Sequence, residues 1–569
     1  MNKKLFFLFF VQCFALFAKG QDVMYAGSIG NHAQVKVMDM AKTSNNELVI
    51  AVDFPGSRHF QFGKDPYCGL HKYNTTGEIE WNFQSLHREN VENKITVDYL
   101  FLNLTLDEAD NIYGLVYTDI YSEVKVGEII ISPGLNLMKI NPQGSIIWNK
   151  SIGKNAQEDN ACIEYKNGKL YVIGTYQGDL NLDNNFFLKS QEYYQCYMWM
   201  YVSGADYFVA EYDTTGLLHN AVSLGENYPD ELVSMTMDDS ENLYFTGLSD
   251  NFPCVVPYTH ITKLDKNLSV QWVDTISYSN ESPKNIPMDI HYSKNGKIYV
   301  WNNSIDNIRH GDFVTDNKNP YLIEIDTNSG HVMRELNIKA ELNTTPNYSS
   351  IIRRYVNGII DDFGSNLIIH TAFSDKLIIK NDTTYSDIWE QFPYNSFVLL
   401  KIDLIDFSAS LIKKFDGKIR DNEISNRYYF DMPGKIIVDE PYVYFTGDFG
   451  DDPLHIYDVP IFNKSGNDQD TDVFFCKIDM SSYLNLSGIA DNKAISKNII
   501  VFPNPVSEIL QIQNEYEIID VQIFTIDGYE MLSYKKTNSV NVSNLANGLY
   551  IMQVKTSNGI TSTKFLVAH

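Results

Sequence analysis

The sequence has 569 residues, with 72 acidic against 45 basic side chains and a formal net charge of −27. This excess argues against a nucleic-acid partner, because binding the phosphate backbone requires clustered lysine and arginine side chains. Tyrosine (37) and phenylalanine (32) are abundant, and Asn, Asp and Gly separate the apolar runs, which favours β-strands joined by turns. The length indicates two or more domains or an array of repeats.

The first twenty residues have the features of a secretory signal peptide. The basic residues Lys3 and Lys4 precede an apolar run over 5–18. Small side chains come next, before a predicted cleavage site that directly precedes Gln21. The alternative is a short membrane helix, but the run is shorter than a spanning segment requires. Removal of residues 1–20 takes away three lysines and changes the net charge from −27 to −30.

Residues 21–486 repeat one two-part unit. The first part is an apolar strand after a polar turn, and the second is an alternating strand, a turn and a further strand. The apolar strands are ELVIA (47–51), NIYGL (111–115), KLYVIG (169–174), NLYFTG (242–247), KIYVW (297–301), NLIIH (366–370) and YVYFTG (442–447). The alternating segments begin at residues 69, 136, 208, 260, 321, 398 and 474.

The two parts alternate strictly, and each unit supplies about four strands. Seven such units arranged radially predict an all-β fold, a seven-bladed β-propeller. A β-solenoid requires shorter and more uniform rungs, and a string of sandwiches does not repeat in this way.

The last unit lacks its fourth strand. The segment VMYAGSIGN (23–31) is similar to IIWNKSIGK (146–154), the outer strand of an earlier unit. We therefore expect Met24 to Ser28 to complete the seventh blade and to remove its free edge.

The acidic run at 468–472 is the candidate metal site. Asp468, Asp470 and Asp472 stand at alternate positions, and three carboxylates could ligate calcium with carbonyl groups and water. A complete loop signature also has a glycine, which is missing, so the alternative is a solvated loop. No other cofactor is predicted, and the sequence has no G-x-S-x-G or H-E-x-x-H motif.

Three alternating segments end in Trp81, Trp148 and Trp272. They resemble the Asp…Gly…Trp docking motif of quinoprotein propellers more than the Asp-boxes of sialidases, in which the Gly-to-Trp spacing is shorter. We interpret them as side chains that pack between blades. The aromatic segment at 192–207 is compatible with sugar stacking, with a protein interface or with an elongated hairpin.

From Lys497 onward the pattern changes. Short strands alternate with turns at Asp527-Gly528, Asn547-Gly548 and Asn558-Gly559. This spacing predicts a small β-sandwich at 497–569, after a polar linker at 487–496.

One copy of the unit resembles the bacterial β-propeller repeat family called SBBP. That family's unit runs from an Asp-x-Phe-Val strand through Asp-x-x-Gly to an Asn-x-Tyr-x-x-Gly strand and a Phe-Pro turn. The matching residues are Asp206, Phe208, Asp213, Gly216, Asn242, Tyr244, Gly247, Phe252 and Pro253. The family is a structural label, and the resemblance implies no reaction.

The terminal module resembles the C-terminal sorting domain of the type IX secretion system of Bacteroidetes. The matching residues are Pro503, Asn504, Pro505, Asp527, Gly528, Leu545, Gly548, Tyr550 and Lys564. The chain ends in Ala568-His569, whereas family members often end in a basic residue. The resemblance implies that residues 497–569 are recognised by the type IX secretion machinery.

We therefore expect a secreted or cell-surface protein, exported through a Sec signal peptide and the periplasm. We expect the protein to be a monomer. Its expected role is binding or adhesion to an extracellular glycan or protein, through loops at one mouth of the ring. The alternative is an extracellular polysaccharide hydrolase or lyase whose site lies at that mouth. Carboxylates and histidines that converge from several blades in a deep pocket would favour the alternative.

Overall fold

A computed structural model provides the structure of the protein. It describes residues 23–30, 35–53, 68–84, 99–118, 124–126, 128–157, 161–183, 186–190, 194–197, 200–202, 205–225, 230–249, 258–278, 285–304, 308–310, 313–315, 320–341, 358–374, 376–380, 382–385, 388–389, 392–393, 395–417, 432–450, 453–456, 459–462, 471–481, 500–513, 518–525, 530–556 and 559–569. The predicted signal peptide and the predicted linker lie outside these residues.

The chain divides into two compact units, Met1–Leu484 and Asn485–His569. The secondary structure elements of the described residues are β-strands, in agreement with the predicted all-β class. Within the same residues, no helix has the length and hydropathy needed to cross a membrane.

The described part of the larger unit contains seven antiparallel sheets built on a plan of four strands, numbered here in chain order; six have four strands, and sheet 4 is extended by two further short strands. Sheet 1 contains β2 (Lys36–Lys42), β3 (Leu48–Asp53), β4 (Cys68–Tyr73) and β5 (Ile79–Gln84). Sheet 2 contains β6 (Tyr99–Leu106), β7 (Ile112–Thr118), β10 (Gly134–Ile140) and β11 (Ile146–Gly153). Sheet 3 contains β12 (Cys162–Lys166), β13 (Lys169–Tyr176), β18 (Asp206–Asp213) and β19 (Leu218–Leu224).

The four remaining sheets of this kind follow the same plan. Sheet 4 contains β20 (Asp230–Met237), β21 (Leu243–Ser249), β22 (Tyr258–Leu264) and β23 (Val270–Tyr278). Sheet 5 contains β24 (Asn285–Tyr292), β25 (Ile298–Ser304), β28 (Tyr321–Ile325) and β29 (Val332–Asn337). Sheet 6 contains β31 (Gly358–Phe363), β32 (Asn366–Ser374), β37 (Asn395–Asp403) and β38 (Ser408–Lys414), and sheet 7 contains β40 (Met432–Asp439), β41 (Tyr442–Phe449), β44 (Asp472–Asp479) and β1 (Val23–Ile29).

Short additional strands lie in the connections of these sheets. They are β8 (Val124–Val126), β9 (Ile129–Ile131), β14 (Asp179–Asp183), β15 (Phe186–Lys189), β16 (Tyr194–Tyr197), β17 (Met200–Val202), β26 (Ile308–His310), β27 (Phe313–Thr315), β30 (Lys339–Glu341), β33 (Lys376–Ile379), β34 (Asp382–Tyr385), β35 (Ile388–Trp389), β36 (Phe392–Pro393), β39 (Asp416–Gly417), β42 (Leu454–Ile456) and β43 (Val459–Ile461). Strands β16 and β17, which lie within the aromatic segment at 192–207, pair antiparallel.

The first strands of the seven sheets, β2, β6, β12, β20, β24, β31 and β40, are called the inner strands here. Each inner strand contacts the inner strand of the next sheet, and β40 contacts β2. The contacts therefore form a closed cycle. The second and third strands are buried on both faces, as in β13 and β44, because each sheet packs against two neighbours.

A repeated turn joins the third and fourth strands of most sheets. In sheet 3, the Asp213 carboxylate accepts hydrogen bonds from the backbone N–H groups of Thr215 (2.8 Å) and Leu217 (3.1 Å). Gly216 follows with a φ of +83°, a conformation in which a side chain is strained. The Asp-x-x-Gly spacing thus encodes a tight hairpin.

The predicted packing role of the tryptophans is confirmed. Trp81 of sheet 1 donates from Nε1 to the carbonyl of Pro142 in the turn of sheet 2, at 2.9 Å. Trp272 of sheet 4 makes the corresponding bond to Thr327 in the turn of sheet 5, at 3.1 Å. Each indole therefore joins its sheet to the next one.

The described part of the smaller unit contains two sheets that share one hydrophobic core. The first sheet has the order β45 (Ile500–Phe502), β46 (Ile509–Gln513) and β49 (Ser539–Asn541). The second has the order β48 (Glu530–Lys535), β47 (Ile518–Thr525), β50 (Gly548–Thr556) and β51 (Gly559–Val567).

Candidate functional site

The inner strands bring polar side chains from several sheets together. Asp39 lies on β2 and is almost completely buried. Its Oδ2 accepts hydrogen bonds from the backbone N–H of Leu104 and from the Asn103 amide on β6, both at 2.7 Å. The Asn103 carbonyl oxygen in turn accepts from the backbone N–H of Ile163 on β12, at 2.8 Å. Asp39 and Asn103 therefore join three sheets.

The same arrangement recurs on the other side of the cycle. Asp289 on β24 accepts from the Ser234 hydroxyl on β20 at 2.7 Å and from the backbone N–H of Ile360 on β31 at 3.0 Å. Asp361 on β31 accepts from the backbone N–H of Val438 on β40, at 2.6 Å. These carboxylates are therefore occupied with main-chain donors of the neighbouring sheets.

Local backbone geometry explains why these side chains reach the next sheet. The strand pairing shifts just before Asp39, Asn103, Ser234 and Asp289. Such a β-bulge inserts one extra residue and turns the following side chain away from the regular alternation. The side chains of Asp39, Asn103 and Asp289 then each accept from a backbone N–H of the neighbouring inner strand, whereas the Ser234 hydroxyl donates to Asp289.

Lys435 on β40 places a cation beside this network. Its Nζ lies 3.5 Å from Asp39 Oδ1. The negative charge of Asp39 raises the pKa of Lys435, so the lysine stays charged.

A second pair lies between sheets 5 and 6. His291 Nε2 is 3.4 Å from Asp362 Oδ2. Burial alone would lower the pKa of His291, but Asp362 raises it by contact and by charge. Burial would raise the pKa of Asp362, but His291 and the Ser293 hydroxyl hold it below its usual range. The two side chains thus form an ion pair that joins the sheets.

Glu164 on β12 differs from these acids. Its carboxyl group makes no hydrogen bond to any residue that the structure describes. Burial raises the pKa of Glu164 to about 7, against the opposing charges of Lys166 and His291. A carboxyl group with this pKa can exchange a proton near neutral pH.

Cys162 lies two residues before Glu164 on the same strand and is a free cysteine. Burial raises the pKa of its thiol to about 12. The thiolate is the reactive form of cysteine, so Cys162 is unsuited to act as a nucleophile at neutral pH.

The sequence did not single out these inner-strand residues. The signal is a lone polar side chain in the middle of an apolar run, as in VMDMA around Asp39 and PMDIH around Asp289. The flanking residues do not alternate between polar and apolar. The signal therefore marks a polar position but does not show which residue of the neighbouring sheet it bonds.

One of the three predicted calcium ligands, Asp472, lies within the described residues. Asp472 begins β44 and is completely buried, with its carboxylate against the Cα of Gly30. Asp468 and Asp470 lie outside the described residues. Within the described part of the chain, no group of three or more His, Cys, Asp or Glu side chains is arranged to hold a metal ion. The calcium site remains a prediction.

The terminal motifs do meet in the smaller unit. Asn504 Oδ1 accepts from the backbone N–H of Leu566 at 2.8 Å, which joins the Pro503-Asn504-Pro505 segment to the last strand. His569 donates its backbone N–H to Asn547 Oδ1, and its Nε2 lies 2.8 Å from the carbonyl of Leu545.

The other predicted sorting residues fall as follows. Gly548 begins β50, and the Tyr550 hydroxyl donates to Ala546 O at 3.0 Å. Lys564 is exposed on β51. Asp527 and Gly528 lie outside the described residues.

Comparison with known proteins identifies the smaller unit. Residues 500–568 match the family model described as secretion system C-terminal sorting domain. The terminal unit is thus the sorting domain of the type IX secretion system, as predicted. The protein is accordingly directed to the cell surface or the extracellular space.

A search of curated proteins finds no match to the chain. Solved structures that resemble it include the phage phi92 endosialidase, with 10% identity and a TM-score of 0.40 over 95% of this chain and 87% of that one. A protein of unknown function from Dyadobacter fermentans has 9% identity and a TM-score of 0.38 over 66% of this chain and 97% of its own. An α-L-arabinofuranosidase from Fusarium graminearum has 9% identity and a TM-score of 0.34 over 69% and 95%. No activity is transferred from similarities at this level.

Proposed function

We propose that the protein is a secreted or cell-surface seven-bladed β-propeller that binds an extracellular ligand and is exported through its C-terminal sorting domain. Residues 1–20 serve as a Sec signal peptide and 21–486 form the propeller of SBBP-like repeats. Residues 487–496 are the linker, and 497–569 are the sorting domain with a β-sandwich fold. The cycle of inner-strand contacts and the pairing of β1 with β44 support the seven-bladed ring.

One observation supports binding over catalysis. The inner-strand carboxylates of Asp39, Asp289 and Asp361 accept hydrogen bonds from backbone N–H groups of adjacent sheets. Glycoside hydrolysis commonly requires two carboxyl groups that flank the scissile bond. Carboxylates that hold neighbouring sheets together are poorly placed for this role, so the ring serves as a scaffold for ligand-binding loops.

A hydrolase or lyase is the second candidate, and Glu164 favours it. Its pKa of about 7 and its lack of a hydrogen-bond partner among the described residues are suitable for a general acid. A glycan array, run beside an activity screen on polysaccharides with the mature protein (21–569), separates the two. Glycan or protein binding without turnover supports the proposal, and turnover of any polymer overturns it.

The export route has its own test. Deletion of residues 497–569 should leave the protein in the periplasm, because the sorting domain is the part that the secretion machinery recognises. Fractionation and immunoblotting measure the distribution. Normal appearance of the truncated protein outside the cell would contradict the route.

A further inference from the structure

A groove lies on the edge of sheets 2 and 3, away from the inner strands. Its volume is about 580 Å³, within the range of roughly 300–1,000 Å³ that is typical of ligand sites. Three elements form its walls: β11, β14 and the turn between β18 and β19. We call it the rim groove, and it is lined by Lys150, Ser151, Asn181, Leu182, Tyr212 and residues 215–218.

Lys150 supplies an uncompensated positive charge at the rim groove. Its amino group forms no ion pair and no hydrogen bond with any described residue. Two other lysines of the same sheets are paired: Lys139 lies 3.8 Å from Asp107, and Lys169 lies 3.4 Å from Glu211. In a chain with a net charge of −27, a free cation in a groove is suited to an anionic ligand.

The backbone holds Lys150 in place. A Cβ added at Gly216 would lie 2.9 Å from Cγ and 3.1 Å from Cε of Lys150, so the lysine side chain rests on this glycine. The Trp148 ring lies beside it, 3.2 Å from the same added Cβ. The aliphatic part of Lys150 is therefore packed, which reduces the conformational freedom that binding would otherwise remove.

The remaining lining is suited to a sugar ring. The side chains of Ser151 and Asn181 are exposed and make no hydrogen bond within the described structure, so they are available to hydroxyl groups. Leu217 is 54% exposed and presents an apolar surface at the same groove. A pyranose has a hydroxyl-bearing edge and an apolar C–H face, so it matches both features.

We propose that the rim groove binds a uronic-acid saccharide, with the sugar carboxylate paired to Lys150. This site rests on the proposed binding role but lies apart from the mouth of the ring. Ser151 and Asn181 bond the hydroxyl groups, and Leu217 contacts the ring face.

Titration calorimetry of the mature protein (21–569) with trigalacturonate tests this site. Lys150→Gln should weaken binding about fivefold, the effect of losing one exposed ion pair, whereas Lys150→Arg should retain it. The exposed Lys154, which follows the same strand outside the groove lining, provides the matched control, and Lys154→Gln should bind as the unaltered protein does. The methyl ester of the same saccharide lacks the carboxylate charge. Its affinity for the unaltered protein should therefore equal the affinity of trigalacturonate for Lys150→Gln.

A second variant tests the geometry without removing the charge. Gly216→Ala should also weaken binding, because the added methyl group displaces the Lys150 side chain. A triglutamate peptide provides the contrast in ligand class, and binding equal to that of trigalacturonate would overturn the saccharide assignment.

Absence of trigalacturonate binding, or equal binding by Lys150→Gln, would overturn the site itself. A glycan array on both proteins distinguishes this failure from failure of the proposed function. Binding to other glycans that is unchanged in Lys150→Gln would reject the rim groove and leave the general binding role in place.

Discussion

The ring of Tyr25 lies directly on Gly77. A Cβ added at Gly77 would be 2.8 Å from the Tyr25 ring. Tyr25 belongs to β1 in sheet 7, whereas Gly77 lies in the turn of sheet 1. Trp81 lies on Gly144 and Trp148 lies on Gly216 in the same way. In each case an aromatic ring of one sheet packs on a turn glycine of the next sheet. The N-terminal strand therefore makes this contact between the last sheet and the first.

Replacement of Tyr25 by alanine should reduce the stability of the larger unit. Tyr25 is 4% exposed, and loss of a large buried aromatic side chain costs about 3–5 kcal/mol. Met24→Ala is the matched control, because Met24 precedes it on the same strand and is 48% exposed. Thermal unfolding of the mature protein measures both. Equal melting temperatures for the two variants would contradict a closing role for this contact.

The turn glycines allow a test in which backbone strain is held constant. Gly330 has a φ of +74°, and a Cβ there would come within 2.8 Å of the Trp272 ring. Gly296 has a φ of +77°, and a Cβ there would meet nothing within 4 Å. Both alanine variants should lose about 1–2 kcal/mol from backbone strain.

Gly330→Ala should lose more than Gly296→Ala, because the added methyl group also displaces Trp272. Overpacking of this kind costs about 1–3 kcal/mol. The difference between their melting temperatures therefore reports the inter-sheet contact alone. A larger loss for Gly296→Ala would show that the indole does not hold the sheets together.

Sequence patterns predicted the paired strands well. The segments 169–174 and 442–447 lie within β13 and β41, because doubly buried strands form continuous apolar runs that end at polar turns. The pairing of β1 with β44 is the one expected for Met24 to Ser28, since Tyr25 takes the place of Trp148 in the repeated segment.

The inner strands and the rim groove could not be found in this way. Asp39 follows a bulge, which breaks the two-residue period on which strand prediction depends. The rim groove is formed by β14, which lies in the connection between the second and third strands of sheet 3, together with elements of two different sheets. Its residues Lys150, Asn181 and Thr215 are too far apart in sequence to form a motif.

His370 provides a test of pH dependence. It is completely buried beside Phe445 and Phe397, and burial lowers its pKa to about 3. In the unfolded chain its pKa is about 6.5, so between these values the unfolded state binds the additional proton. His370 should therefore remove about 2 kcal/mol of stability as the pH falls from 7 to 5.

His370→Leu should reduce this loss, as measured by chemical denaturation at pH 7 and pH 5. His260, whose pKa burial lowers to about 4, acts in the same direction, so only the difference from the unaltered protein is informative. Phe397→Leu is the control, because it alters the same cluster without removing a titrating group. A pH dependence of His370→Leu identical to that of the unaltered protein would rule out the protonation model.

Glu164 should act with the opposite sign. Its folded pKa of about 7 is above the value of about 4.3 expected in an unfolded chain, so the folded state binds the additional proton between these values. The stability that this proton contributes is fully present below pH 4 and is lost as the pH rises through 7. Glu164→Gln removes the titrating group, so its melting temperature relative to the unaltered protein should rise between pH 5 and pH 8.

Cys162→Ala is the control for this series, because burial keeps the Cys162 thiol protonated over the same interval. The same variants also distinguish the two candidate functions. If the ring is a binding scaffold, Glu164→Gln should retain glycan binding at pH 7 while its stability profile changes. If Glu164 is a general acid, the unaltered protein should degrade a polysaccharide, and Glu164→Gln should lose that turnover in addition to showing the same change in its stability profile. The first pattern supports the binding role, because the carboxyl group then affects only the stability of the fold.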